Sequence, residues 1–345
     1  MLHFQFILTV EGFRDLAGGW AQRTDAVCRK VCTILIKNAD QKTSPSFRKP
    51  AKAIHMQYIL VCYDATTKGW RFNMRSVVIT GGTRGLGLRL AENFRKRGFN
   101  IAICGTKESS VEKALTHLRS IQGDGKLLGE CCNVSDSANV RSFAFHVKEV
   151  FGSIDIWINN AGVNQSDKYA WDISSDEVDL LLSIDLKGTI NGSQAAVQMM
   201  IEQGHGAIYN VEGMGSNDAF QPRLSIYGTA KRAVTYFTDA LSKEIADRKL
   251  PIIVGKISPG IMITDFLTSS NGQQNTTQLS DKNKKVYNIL GDYPDVIASY
   301  LVPRIIDNKK NGVRIAWLTG RKAFFRFLTA SFSKRNFFKE ENASV

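Results

Sequence analysis

From residue 76 onward, short β-branched apolar runs alternate with longer amphipathic segments, the pattern of a parallel sheet whose strands are joined by crossover helices. The runs lie at 76–80, 100–104, 126–132, 154–158, 206–211, 251–257 and 313–318. Helical patterns lie near 86–97, 108–121, 137–150, 176–203, 225–248 and 294–308, several followed by a Gly that serves as a stop signal. Seven strands with helices between them predict a doubly wound α/β sheet. The first 73 residues do not join this rhythm. They carry eleven Lys and Arg against five Asp and Glu, a net of +6, and read as an extension. An organelle-targeting leader and an uncertain gene start, with the domain beginning at Met74, are both open.

The chain has 345 residues, 43% hydrophobic and 22% charged, which is globular composition able to bury a core. A net charge of +13 attracts anions, but the 45 basic residues are spread without a long run, so no nucleic-acid footprint is read. The six Cys have no paired zinc spacing and fit reduced structural thiols, and no metal site is expected. No stretch approaches the roughly 18 uninterrupted apolar residues of a spanning helix.

Candidate chemistry begins with "TGGTRGLG" at 80–87, between the first strand and the first helix. Gly81, Gly85 and Gly87 permit a tight turn and let the backbone approach a pyrophosphate at the helix N-terminus. An NAD site places an acid about 20 residues on. Here the second strand ends in Cys104-Gly105-Thr106-Lys107. Arg84 and Lys107 instead offer cations to a 2′-phosphate, which favours NADPH, unless both are only solvated surface charges. Further on, "YGTAK" sets Tyr227 and Lys231 four apart on one helix face, within reach of the same small object.

Together with "NNAG" at 159–162 and "SPGIMIT" at 258–264, these motifs resemble the short-chain dehydrogenase/reductase family in order and approximate spacing, over about residues 75–320. The resemblance implies a single Rossmann-type domain at 74–320, with strand order 3-2-1-4-5-6-7 and an aromatic, basic tail at 321–345. It implies cofactor contacts from Gly81, Thr83, Arg84, Gly85, Leu86 and Gly87, from Lys107, Asn133 and Val134, from Asn160, Ala161 and Gly162, and from Pro259, Gly260 and Thr264. Tyr227 would be the acid that protonates a carbonyl oxygen. Lys231 would lower the phenol's pKa by its field and bind the nicotinamide ribose.

Three positions depart from the family pattern. Asp185 replaces the usual Asn whose surroundings hold a relay water, and as a carboxylate it could accept from that water. Gly213 stands about where the catalytic serine would be, leaving Ser216 as the hydroxyl candidate, or as a mere turn residue. Asn133 replaces the Asp that commonly contacts adenine.

A narrower likeness, carried by "YNVEGMGSN" (209–217), "YLVPRI" (300–305) and "WLTGRKAFFRF" (317–327), is to the chlorophyll(ide) b reductases. It implies chlorophyll b or chlorophyllide b as substrate, a chloroplast location with peripheral thylakoid contact, and assembly with itself or a related reductase. Another carbonyl substrate, or a cofactor-binding subunit without turnover, are the competing readings. The segment 261–292 and the tail are expected to cover the substrate. Phe324, Phe325, Phe327, Phe332, Phe337 and Phe338, interspersed with Arg326, Lys334 and Arg335, suit a carboxylated macrocycle or an anionic membrane. A terminal helix packing its Phe stripe on the domain is the alternative.

Overall fold

In a computed structural model of the protein, the apolar runs pair side by side into one seven-stranded sheet. The structure describes residues 75–217, 219–264, 281–333 and 335–338, with two short paired segments at Ser269–Ser270 and Gln273–Gln274. The extension 1–73 and most of 265–280 lie outside the described residues.

The strands are β1 Ser76–Thr80, β2 Asn100–Gly105, β3 Leu127–Cys131, β4 Ile156–Asn159, β5 Gly206–Val211, β6 Ile252–Ser258 and β7 Arg314–Ala316. All pair in parallel, in the order 3-2-1-4-5-6-7 that the resemblance implied. β1 is central, with Val77 aligned to Ile101 on one side and Ile156 on the other. Helices cover both faces, so every residue of β1 is buried and the strand reads as a continuous apolar run.

Val77 and Ile79 point into one core, filled by Leu90 and Phe94 of α1 (Gly85–Arg95), Val111 and Leu115 of α2 (Glu108–Arg119) and Ile297 and Leu301 of α8 (Pro294–Asp307). Val78 points into the other. That core holds Phe143 of α3 (Ser137–Phe151), Ala196 and Met200 of α5 (Gly188–Gln203), and Ile245 of α6 (Ser225–Asp247). Side chains such as Phe94 and Phe143, nearly inaccessible to water, contribute roughly 1.5–3 kcal/mol each. Gly98, Gly152 and Gly204 follow α1, α3 and α5 in the left-handed region, the stop signals visible in the sequence.

The helical pattern at 176–203 is not one helix type. α4 (Ser175–Leu181) passes into a π-helical turn, Leu182–Lys187, before α5 begins. Each π turn accommodates an extra residue, which turns Asp185 inward to full burial. A further helix, α7 (Asp281–Leu290), lies in the segment expected only to cover substrate.

The packing alternative for the tail holds at Phe337 and Phe338, which lie half-buried against Tyr293 and Tyr287, but not along the helix before them. α9 (Gly320–Leu328) turns cations inward: Arg326 Nη1 lies 2.7 Å from the buried Asp292 carboxylate, and Arg335 beyond the helix lies 2.6 Å from the same group. Trp317 Nε1 donates to it at 2.7 Å. Lys322 rests over the Trp317 ring, and burial together with Arg326 brings its ammonium down to about 8. Phe324, Phe325, Phe327, Leu328 and Phe332 face outward instead, each more than half exposed.

Strands and helices are cross-tied near the centre by a buried amide network. Trp157 Nε1 donates to Asn159 Oδ1 at 2.7 Å, and Asn159 Nδ2 donates to Ser193 Oγ at 3.0 Å and Asn210 Oδ1 at 2.8 Å. Asn210 Nδ2 continues to Thr238 Oγ1 at 2.9 Å. A side chain on Gly192 would stand 2.0 Å from Asn159 Oδ1, so only Gly lets α5 approach. Asn159→Ala leaves an indole N–H and an amide carbonyl short of partners and should cost about 2–4 kcal/mol. Urea melts of the variant and wild type measure this; a loss under about 1 kcal/mol would show that the network is not a structural tie.

Candidate active site

The carboxyl ends of the central strands are where ligands bind in an open α/β sheet. At that edge Thr80 Oγ1 accepts from the backbone N–H of Asn160 (3.0 Å) and Ala161 (3.1 Å), while Asn160 Nδ2 donates to the carbonyls of Thr80 and Gly81. The glycine turn and the "NNAG" segment are therefore one unit. Gly81 has φ +62°, and a Cβ there would meet Ala161 Cα at 2.8 Å; one on Gly87 would stand 2.4 Å from the Gly81 carbonyl oxygen. Gly85 has φ +54° and nothing within 4 Å of its Cβ position. Space thus opens above the start of α1, whose N-cap Arg84 makes no side-chain cap and whose first turn holds no acid. Free N–H groups, open space and no carboxylate fit a pyrophosphate.

Around this cradle, Thr83 packs against Gly105, and Leu86 is buried beneath the turn. Arg84 and Lys107 are exposed at the starts of α1 and α2. The Asn133 side chain is turned back on its own loop, Oδ1 accepting from Ser135 N and Oγ. Val134 is buried, its carbonyl held by Asn191 Nδ2 at 2.8 Å. Pro259 is buried, and Gly260 at φ +74° lies against Leu318. Thr264 is half-buried at the end of the described stretch.

Tyr227 and Lys231 occupy the first two turns of α6, both nearly buried, with Lys231 Nζ 5.6 Å from the Tyr227 ring centre. Asp185 approaches from the π turn. Its Oδ2 is 2.9 Å from Lys231 Nζ but off the line of a well-formed hydrogen bond, so the contact is chiefly charge to charge. Its Oδ1 accepts from Val163 N at 2.7 Å. Burial pushes the Asp185 carboxyl up, and Lys231 offsets part of that rise. Burial works against the Lys231 ammonium too, yet Asp185 and Tyr227 together raise its pKa.

These charges correct the expectation for the phenol. Burial, the largest effect, raises the Tyr227 pKa; Lys231 lowers it, but Asp185 raises it again, and the net shift is upward. Asp185, expected to hold a relay water, forms an ion pair with the lysine.

Gly213 and Ser216 also differ from a simple serine replacement. A Cβ on Gly213 would stand 2.2 Å from the Tyr227 hydroxyl, so the phenol fills that space. Ser216 Oγ accepts from Gly213 N at 3.1 Å and donates to the Lys231 carbonyl at 3.2 Å. Its hydroxyl holds the turn against α6. Glu212, the acid of the quoted motif, is buried and paired with Arg314 Nε at 2.5 Å, tying the end of β5 to β7.

One contributor escaped the sequence reading. Gln165, 3% exposed, accepts through Oε1 from the backbone N–H of Ile226 (2.9 Å) and Tyr227 (3.1 Å), capping a helix whose own N-cap, Leu224, has no acceptor. Nothing in the sequence hints at it, because Ser225 stands just before "YGTAK" as a capping residue would.

A dinucleotide cradle beside a Tyr-Lys pair on a seven-stranded parallel sheet defines an NAD(P)-dependent oxidoreductase of the short-chain type. The family model described as short chain dehydrogenase matches residues 75–275, and the chain belongs to that family. It is similar to the probable chlorophyll(ide) b reductase NYC1, chloroplastic, of Oryza sativa subsp. japonica, with 31% identity over 79% of this chain and 55% of that protein. It is also similar to the chlorophyll(ide) b reductase NOL, chloroplastic, of the same organism, with 33% identity over 74% of each. The chain thus spans little more than half of the first relative. Among solved structures, levodione reductase shares the fold at TM-score 0.64 and 24% identity, over 72% of this chain and 98% of that one. An actinorhodin polyketide ketoreductase variant with NADPH does so at 0.63 and 20%, over 72% and 97%.

Two variants probe the charge and the space. Asp185→Asn removes the charge that raises the Tyr227 pKa, so the phenol should ionise at lower pH. Carbonyl reduction needs the protonated phenol, and the alkaline limb of its kcat/KM profile should therefore move to lower pH. An unmoved limb would mean that Asp185 does not tune Tyr227. Gly213→Ala drives a methyl into the hydroxyl's position and should lower turnover by about two orders of magnitude. Titration with NADPH should show cofactor affinity largely kept.

Proposed function

We propose that the chain reduces the 7-formyl group of chlorophyll b or chlorophyllide b to the 7-hydroxymethyl compound with NADPH, the first step of chlorophyll b degradation. The observation that carries the chemistry is the buried Tyr227–Lys231–Asp185 set beside the glycine cradle. The substrate rests on the two relatives and on motifs outside the shared cofactor region.

Gly81, Gly85 and Gly87 with the N-terminus of α1 would hold the pyrophosphate, and the Asn160–Gly162 segment, Pro259, Gly260 and Thr264 would flank the nicotinamide half. Arg84 and Lys107, with no acid at the end of β2, favour the 2′-phosphate of NADPH. Bound there, the cofactor supplies the hydride. Tyr227 gives its proton to the carbonyl oxygen, and burial keeps the phenol protonated until that transfer. Lys231 stabilises the phenolate left behind and reaches the ribose. Asp185 holds Lys231 in place. Ser216 fixes the turn against which Tyr227 rests, a positioning role.

The relatives' names support a chloroplast location. The outward Phe face of α9, in a stretch from 314 to 338 with no Asp or Glu, supports peripheral contact with the thylakoid membrane. Assembly with itself or a related reductase remains part of the proposal. A different carbonyl substrate is the second reading, supported by the cofactor cradle's independence of substrate size.

The test is incubation of the protein with each pigment and NADPH, and chromatography of the products. Hydroxymethyl pigment should form, faster with NADPH than with NADH, and Tyr227→Phe should lower its rate by roughly two to four orders of magnitude. Reduction of another carbonyl by the same preparation, with neither pigment converted, would favour the second reading.

A further inference from the structure

The loop after the "NNAG" segment carries the exposed aromatic pair Tyr169 and Trp171. Their rings stack at 4.9 Å with 2° between planes, and Trp171 is 79% exposed. An indole this open to water gains little from the fold, yet the segment that carries it is pinned on both sides.

On one side, Ser166 donates from N (2.7 Å) and Oγ (2.9 Å) to the carboxylate of Glu177 on α4, both residues being buried. On the other, Arg223 lies over the Tyr169 ring at 5.1 Å and pairs with Asp167 at 3.2 Å. Arg223 has φ +64°, a left-handed conformation that a non-glycine residue holds only where its surroundings compel it. Its carbonyl accepts from Gln165 Nε2 at 2.9 Å. The opposite end of that amide caps α6 at Tyr227 N. Four contacts therefore run from the Trp171 ring through Tyr169, Arg223 and Gln165 to the backbone of Tyr227.

The two loops involved follow β4 and β5 at the carboxyl edge of the sheet, on the side where ligands enter. We propose that the open face of Trp171 is the stacking surface for a flat, extended aromatic ring system, and that it selects the substrate of the Tyr227 site. Resting on the proposed reduction of a chlorophyll-type pigment, this makes the macrocycle the group it takes. Tyr169 backs the indole and Arg223 fixes Tyr169, so the surface is set before the ligand arrives and little side-chain freedom is lost on binding. Arg223 is already paired with Asp167, so the recognition is of ring surface rather than of charge.

Chlorophyllide a separates this surface from the reaction, because it carries the same flat ring with a methyl in place of the 7-formyl group and cannot be reduced there. Titrated into the full chain with NADP bound and followed by fluorescence, it should bind. Trp171→Ala should weaken that binding roughly ten-fold and raise the KM for chlorophyllide b by a similar factor, with kcat within about two-fold. Trp171→Phe, which keeps a ring, should restore most of the loss. The KM for a small aliphatic aldehyde and the affinity for NADPH should not move. Unchanged chlorophyllide a binding in Trp171→Ala would overturn the proposal even if wild type reduces chlorophyllide b. Trp171-dependent binding without reduction of chlorophyllide b would overturn the proposed reaction and leave the stacking surface standing. No binding of chlorophyllide a to wild type would remove the surface outright.

Discussion

Two opposite charges buried together, Asp185 and Lys231, set the terms for everything around them. Removing either ion from water costs several kcal/mol, and the pair survives only because each supplies the other's counter-charge. To bring the carboxylate inward the chain adopts a π turn; to leave room for it, residue 162 is Gly, whose Cβ position lies 3.0 Å from Asp185 Oδ2. The lysine thereby sits beneath Tyr227, and Gly213 leaves the phenol the space above. A neutral Asn at 185 would ask less of the fold and leave the lysine's field unopposed.

Two of the three departures from the family pattern, at 185 and 213, thus form a coordinated change around Tyr227 and Lys231. Position 213 gives up a side chain so that the phenol can occupy its space. Position 216 supplies a hydroxyl, but to the backbone of the turn and of α6. Glu212, between them and the strand, anchors the turn to β7 through Arg314. The end of β5 is thus held by charge and hydrogen bonds.

The sheet could be read from the sequence because a strand buried on both faces must be continuously apolar, and the cofactor turn because only Gly tolerates its backbone. The π turn could not. An inserted residue shifts the helical phase by about 100°, but α4 before it is only 7 residues long, too short for its own apolar stripe to mark the break. Gln165 was hidden for another reason: it serves a helix that begins 60 residues later, and a polar residue in a loop carries no mark of its distant partner. The outward turn of α9 depends likewise on Asp292, 34 residues before Arg326. A Phe stripe beside a row of cations looks the same whichever face turns inward.

α9 joins the body by ionic contacts and presents its oil to the surroundings, the reverse of an ordinary surface helix. Its attachment and its stickiness therefore answer to salt differently. The Asp292 carboxylate is buried, so added electrolyte screens its pairs with Arg326 and Arg335 only weakly, while a strongly salting-out electrolyte drives exposed phenylalanines together. A wash meant to strip the protein from an apolar surface by raising salt would instead leave the helix in place and hold it to that surface more tightly.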